Sequence, residues 1–221
     1  MSRITLGPLP QAIAPRLISR LLQAEPATIG HFRDAGFMDA GVRAIAGTAR
    51  RAGTAVTVRC EGLDGSILHH ALGQLRPGDF LVVDRAGDDA IACIGGASAV
   101  AAALRGAAGI VVDGLVTDVQ ELREAGIAVW ARGLGPRTTR AGGHVGSFCM
   151  PVQCGGLTVL PGDAVLADEN GILVLPSSEI EDAAHRALDL QHKEIGTLAR
   201  LRQGESYAQI LGTVLHLDTT P

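Results

Sequence analysis

LRPGDFLVVDRAGDDAIACIGGASAVAAALRGAAGIVVDGLVTDVQELREAGIAVWARGLGPRTTR, residues 75–140, is the stretch whose reading decides the fold. An apolar run at 80–84 closes on an acid and reads as a short buried strand. A double glycine, Gly95-Gly96, then opens an alanine-rich helix through Ala97 and Ser98. A second apolar run at 109–113 passes into a glycine turn and the step Thr117-Asp118, where Val119, Leu122 and Arg123 begin the next helical period. Alternation of strand and helix in this order predicts an α/β fold. It also sets two helix N-termini side by side beyond the carboxyl ends of neighbouring strands, which is where open α/β sheets bind small anions.

Upstream, Ile13, Leu17, Ile18, Leu21 and Leu22 recur at helical spacing, which predicts a helix over 11–22 with Pro26 as its stop. Residues 27–36 read as a short second helical stretch carrying His31, so the N-terminal helices occupy about 11–36. Residues 37–47 read as irregular. Alternation predicts a strand at 55–60, and a helix follows at 66–75 with His69-His70. Adjacent histidines on a helix point about 100° apart and do not ligate one metal as an i, i+4 pair does, so they read as structural.

Across its 221 residues the chain has no low-complexity linker, so residues 1–221 read as one domain. Net charge is −4 with the basic residues scattered rather than striped, which argues against a nucleic-acid groove. No apolar run has the length or flanks of a membrane span or signal peptide, which predicts a cytoplasmic location. Cys60, Cys93, Cys149 and Cys154 form no CxxC pair and read as reduced thiols. Aromatics are 3% of the chain beside 29 glycines, so large core side chains are scarce and subunit contacts are expected to add stability.

An internal echo marks two corners. Pro77-Gly78-Asp79 with Asp84 and Gly87 matches Pro161-Gly162-Asp163 with Asp168 and Gly171 position for position. Proline presets the first torsion of such a turn and glycine accepts the positive φ of the second, so each copy reads as a turn, a buried strand and another turn. Between them, residues 133–146 are glycine-rich and irregular and contain Arg137, Arg140 and His144. Short strands are expected at 157–160, 164–167 and 172–175. Ser178 with Glu181 has the spacing of a capping box for a long final helix over about 178–202, whose charged side is solvated or faces a subunit.

The chain resembles the family that contains the 4-hydroxy-4-methyl-2-oxoglutarate aldolases and the regulator of ribonuclease activity A. The likeness spans residues 28–205 and is carried by Gly30-His31-Phe32-Arg33-Asp34, Ala55-Val56-Thr57-Val58, His69-His70-Ala71-Leu72 and Pro77-Gly78-Asp79. It continues through residues 109–114, Ala131-Arg132-Gly133, Pro161-Gly162-Asp163 and Ala167-Asp168. The resemblance implies a swivelling β/β/α sandwich assembled as a homotrimer or a hexamer of paired rings, with sites near subunit boundaries. It also implies a divalent cation, magnesium or manganese, held by the aspartate of a Gly-x-x-Arg-Asp pattern. Here that pattern reads Gly114-Leu115-Val116-Thr117-Asp118, so threonine stands where the family's aldolases place arginine. Gly96 stands where they place an acid.

On this likeness Asp118 is the expected metal ligand and Thr117 its catalytic neighbour. The amides of Gly95, Gly96, Ala97 and Ser98 are the expected seat of a substrate carboxylate. From spacing alone Asp118 reads first as the N-cap of the following helix, an order that the resemblance reverses without making the two roles exclusive, and the two glycines read equally as a tight turn. The activity implied is metal-dependent carbon–carbon cleavage of a small 2-oxo acid, either retro-aldol release of pyruvate or decarboxylation of oxaloacetate. No Schiff-base lysine is needed, in accord with a chain whose one lysine is Lys193. Arg85, Arg132 and Arg137 are candidates to replace the missing arginine. The rival expectations are a regulator that binds a protein partner without catalysis, and an enzyme of altered substrate.

Overall fold

The computed structural model describes residues 3–47, 49–142 and 145–214. In chain order the elements are β1 Arg3–Leu6, α1 Pro15–Leu21, α2 Pro26–Ile29, β2 Arg43–Ala46, β3 Arg51–Arg59, α3 Ser66–Gln74, β4 Asp79–Asp84, β5 Ala92–Ile94, α4 Gly96–Leu104 and β6 Gly109–Val116. They continue as α5 Val119–Glu124, β7 Val129–Leu134, β8 Val145–Phe148, β9 Val152–Cys154, β10 Leu157–Val159, β11 Ala164–Asp168, β12 Gly171–Leu175, α6 Ile180–Arg202 and α7 Tyr207–Leu211.

Strands β3, β4, β6 and β7 run parallel at the centre of a sheet ordered β1-β8-β3-β4-β6-β7-β2. Parallel strands are covered on both faces, which is why β4 is buried at all six positions. One face carries Val56, Val58, Leu81, Val83, Ile110 and Val112 and packs on α3, α4 and α5 through Leu68, Ala99 and Leu122. The other face, with Phe80, Val82, Val111 and Trp130, packs on a second β layer through Val152, Val159, Val165 and Ile172. That layering is the β/β/α sandwich. Beyond it, Leu166, Leu173 and Leu175 pack with Leu21, Ile29, Ile180 and Ala187 of the terminal helices.

Two strands change neighbours along their length, and both changes matter. β3 pairs with β11 through 51–54 and with β8 through 58–59. β6 pairs with β4 through 109–113, then with β5 at Leu115 and Val116. The second switch carries the chain to the candidate site. Gly109 is required by packing: a Cβ there would lie 2.8 Å from the Phe80 ring and 3.2 Å from Trp130, two rings whose centroids are 5.7 Å apart.

The echoed corners flank β3 on opposite sides and use the same local chemistry. Gly78 and Gly162 take φ of +84° and +92°. The carboxylate of Asp79 accepts the Arg76 amide at 2.7 Å, and that of Asp163 accepts the Leu160 amide at 2.8 Å. At the far ends of the two strands, Asp84 accepts the Ala86 amide at 2.6 Å and Asp168 the Asn170 amide at 2.8 Å. All four aspartates therefore close turns.

Several expectations are corrected. Helix α1 begins at Pro15, whose fixed φ and missing N–H suit the first turn, and not at residue 11. By the same logic Pro26 starts α2 instead of stopping α1. The stretch 37–47 holds β2, paired antiparallel with β7, and the region 133–146 holds the end of β7 and the start of β8. His144 lies outside the described residues. The capping box at Ser178 does not form: a 3-10 turn at Ser177–Glu179 precedes α6, no side chain caps it, and Glu179 instead pairs with Arg33 at 2.6 Å. A further helix, α7, follows the one expected to be last.

Candidate functional site

Because β5 lies beside the end of β6, with Thr117 N–H donating to the Ile94 carbonyl at 2.9 Å, the chain leaves both strands side by side. Gly95 and Gly96 then turn into α4 while Thr117 and Asp118 turn into α5. Asp118 occupies the N-cap position of α5 but does not cap it. Its backbone sits in the left-handed region at φ 54° and ψ 48°, a conformation that aspartate tolerates better than most residues. That twist turns the carboxylate onto the neighbouring helix. Oδ2 accepts the Gly96 amide, the first of α4, at 3.0 Å, and Oδ1 accepts the Thr117 hydroxyl at 3.2 Å.

This crossing explains the double glycine. A Cβ on Gly95 would lie 2.5 Å from Asp118 Oδ2 and 3.0 Å from Thr117 Cγ2; one on Gly96 would lie 2.7 Å from Glu121 Cβ. Both glycines make room for the start of α5. The carboxylate of Asp118 takes the Gly96 amide that sequence reasoning assigned to a substrate. The amides of Ala97 and Ser98 are the other first-turn donors of α4, which helix geometry leaves without an intrahelical acceptor. Glu121 was not singled out in the sequence. Its signal, position three of a helix following Asp118, is ordinary, and only its approach to Gly96 across 25 residues of sequence gives it weight.

Of the three arginines that could replace the missing one, two are engaged elsewhere. Arg85 is fully buried, donates to the Cys60 and Gly62 carbonyls at 2.7 and 2.8 Å, and pairs with Asp88 at 3.3 Å. Its stem fills the space above Gly114, where a Cβ would meet Arg85 Cγ at 2.5 Å. Arg132 forks onto Asp39 at 2.8 and 3.0 Å and donates to Asp113. That ion pair holds the Asp39 carboxyl below the usual range. Arg137 is exposed, on the loop whose residue Thr138 bridges to Ala92 of β5.

The exposed carboxylates at the crevice are thus Asp118 and Glu121, with the half-buried Thr117 between strand and helix. Among the described residues no group of three or more His, Cys, Asp or Glu side chains is arranged to cage a metal. His70 stacks edge-on against Phe148 at 5.2 Å, while His69 lines a cleft of about 570 Å³ with Ala97 and Ser98. All four cysteines are free and buried. Burial raises every one of these thiols, Cys149 to about 11, so they are protonated at neutral pH and poor nucleophiles.

The model of the RraA-like family, described as Aldolase/RraA, matches residues 26–174. The chain belongs to the RraA-like family. Among curated RraA-like relatives, a putative 4-hydroxy-4-methyl-2-oxoglutarate aldolase of Halalkalibacterium halodurans is 30% identical over 61% of this chain and 64% of its own length. A 4-hydroxy-4-methyl-2-oxoglutarate aldolase of Thermus thermophilus is 37% identical over 61% of this chain and 80% of its own. Among solved structures, a Streptomyces coelicolor protein described as an unusual member of the RNase ES inhibitor RraA family superposes with a TM-score of 0.74 at 28% identity. It covers 86% of this chain and 98% of its own. A Thermus thermophilus structure described as the RNA-processing inhibitor RraA gives 0.59 at 36% identity, over 63% and 84%. No helix among the described residues is long and apolar enough to cross a membrane.

Proposed function

We propose that this RraA-like chain is a divalent-metal-dependent carbon–carbon lyase for a small 2-oxo acid, cleaving it by retro-aldol reaction to pyruvate or decarboxylating oxaloacetate. The observation that carries the reading is Asp118, an exposed carboxylate held in a left-handed conformation where two helix N-termini meet. Strained backbone of this kind persists where the surroundings over-determine it, here by the Gly96 amide and the Thr117 hydroxyl. The names of the aldolase relatives point the same way.

The donor set fits magnesium or manganese. It is oxygen only, Asp118 with Glu121 beside it. Magnesium typically keeps several waters and takes one or two carboxylates, so the lack of a three-ligand cage among the described residues accords with it. Such a cation, when bound, polarises the 2-oxo oxygen and offsets the negative charge that carbon–carbon cleavage develops there. The residues of the chain do the rest. Thr117 donates to Asp118 Oδ1 and so aims its carboxylate. The amides of Ala97 and Ser98, at the positive end of α4, orient the substrate carboxylate.

Pyruvate release from a panel of 2-oxo acids with magnesium or manganese tests the reading. Turnover is expected, with loss on chelation and in Asp118→Ala. Folded, metal-supplied protein that turns over none of the panel overturns it.

One observation favours a second reading, a regulator that holds a protein partner without catalysis. Thr117 supplies no fork-shaped cation for a carboxylate, and Arg85 and Arg132 are engaged elsewhere. A stoichiometric partner recovered beside absent turnover is the outcome expected from it. On either reading the chain works in the cytoplasm as a trimer or hexamer.

A further inference from the structure

The cleft of about 570 Å³ that reaches the first turn of α4 runs on between α4 and α3, as far as Leu104 and Arg105. Small-molecule sites typically enclose roughly 300–1,000 Å³ of mostly apolar wall with a few polar groups. Leu72, Ala101 and Leu104 supply the apolar wall, and Leu104 is 83% exposed. Small residues keep the cleft open. Ala97 and Ala101 line it from α4, and Gly73, the penultimate residue of α3, lines it from the other side. Glycine disfavours a helix. Nothing in its own chain calls for it at 73: a Cβ there would meet no atom within 4 Å, and its φ is not positive. A larger side chain at 73 would stand in the cleft.

The polar groups indicate the charge of the occupant. His69, Ser98 and Arg105 line the cleft, and among the described residues no acid does. Neither the His69 imidazole nor the Arg105 guanidinium has a hydrogen-bond or ion-pair partner among the described residues. An apolar trough with unengaged donors and no carboxylate is the complement of an anionic chain. One end of it, at Ala97 and Ser98, is the seat of the 2-oxo acid's carboxylate. Arg105 lies beyond the other end of α4, roughly 12 Å away along the helix at about 1.5 Å per residue.

We propose that this cleft holds the leaving half of the substrate, a 4-hydroxy-2-oxo acid of about ten carbons whose apolar tail ends in a second carboxylate at Arg105. The inference rests on the lyase reading and commits it to retro-aldol cleavage, since oxaloacetate is too short to reach Leu104 or Arg105. Breaking the C3–C4 bond leaves the electron pair on C3, which takes up a proton to complete pyruvate. The 4-hydroxyl gives up its proton, and C4 becomes the aldehyde of the released tail. No oxidant or reductant is consumed.

Calorimetry of the full chain with magnesium, titrated with succinate, decanoate and sebacate, tests it beside Gly73→Leu and Arg105→Glu. Sebacate has the proposed length and both carboxylates; succinate lacks the length and decanoate the second carboxylate. Sebacate is expected to bind about ten-fold or more tighter than either. Arg105→Glu should erase its advantage over decanoate, and Gly73→Leu should weaken both. Both positions are exposed, and circular dichroism checks that the variants fold. Sebacate no tighter than succinate, or bound alike by the wild type and both variants, overturns the proposal and leaves the cleft to a protein surface. Pyruvate release from shorter 2-oxo acids would then still uphold the lyase reading. Conversely, the expected sebacate pattern without pyruvate release from any 2-oxo acid overturns the lyase reading and keeps the cleft as an anion site.

Discussion

Asp79 and Asp118 both stand where strands and turns meet, yet they are used in opposite ways. Asp79 is fully buried and spends its carboxylate within three residues, on the Arg76 amide at 2.7 Å and the Arg76 guanidinium at 3.0 Å. Asp118 is exposed, leaves its own helix uncapped, and reaches across 22 residues of sequence to the Gly96 amide. Residue type does not separate an aspartate spent on its own turn from one left facing a crevice. The separation lies in whether local donors exhaust the carboxylate and whether the backbone bears a cost to aim it elsewhere.

The sharpest way to break that comparison is to remove each carboxylate. Asp79→Ala leaves the corner amide without its acceptor and the part-exposed Arg76 without its partner, and is expected to destabilise by roughly 2–3 kcal/mol, as losing charge-assisted hydrogen bonds at a buried carboxylate does. Asp118→Ala loses one amide contact and is expected to cost about 1 kcal/mol, while pyruvate formation falls to background. Urea unfolding beside the lyase assay reads both. An Asp118→Ala protein as unstable as Asp79→Ala would make the crevice a structural corner like the others.

Thr117→Arg sharpens the functional half. With a metal at Asp118 and a substrate carboxylate at Ala97 and Ser98, the new guanidinium supplies a two-pronged donor. It is expected to raise pyruvate-forming kcat/KM by about ten-fold or more, since charge-assisted hydrogen bonds contribute roughly 1.5–3 kcal/mol. Steady-state kinetics on the folded variant check it. No gain on any 2-oxo acid, with metal binding intact, favours the regulatory reading.

Much of this was legible in advance because its causes are local. The corner turns announce themselves by Pro-Gly-Asp, and the strands at 80–84 and 109–113 by apolar runs, since turn torsions and two-sided burial act within a few residues. The meeting of Gly95-Gly96 with Thr117-Asp118 followed from strand and helix order. What the sequence hid depends on distant partners. β5 and β9 are three residues long and β8 is four, and they hold their places through neighbours rather than through pattern. Arg132 looked free until Asp39, 93 residues away, took its fork. Gly96 read as a substrate seat because Glu121, which fills the space above it, approaches only in the folded chain.

That last contact gives a reversal to test. Restoring the family's acid by Gly96→Asp puts a Cβ 2.7 Å from Glu121 Cβ. The variant is expected to lose roughly 1–3 kcal/mol through overpacking, and activity with it. Adding Glu121→Ala removes the far carbons and one carboxylate, so part of the lost stability should return, in a double-mutant cycle with a favourable coupling. Additive effects would show that α5 shifts freely and that the double glycine is a turn device alone.

The smallest effect compares the two echoed corners. Asp79 is paired with Arg76, but the carboxylate of Asp163, in the matching turn, accepts the Leu160 amide and has no ion pair among the described residues, and burial raises its carboxyl above the ordinary range. A raised carboxyl binds its proton more tightly in the folded chain than in the unfolded one. Its contribution to stability is therefore greatest in acid and declines as pH rises from the unfolded value through the folded one, leaving it unfavourable at neutral pH. Asp163→Asn keeps an acceptor for the Leu160 amide and removes the charge. It is expected to be neutral or stabilising by about 0.5 kcal/mol at pH 7 and to lose that advantage in acid, whereas Asp79→Asn forfeits an ion pair and destabilises at neutral pH. Urea midpoints of both variants across the acid range read the difference. Equal losses at pH 7 would mean that the two corners depend on charge alike, and that the arginine at one of them adds nothing the turn does not already supply.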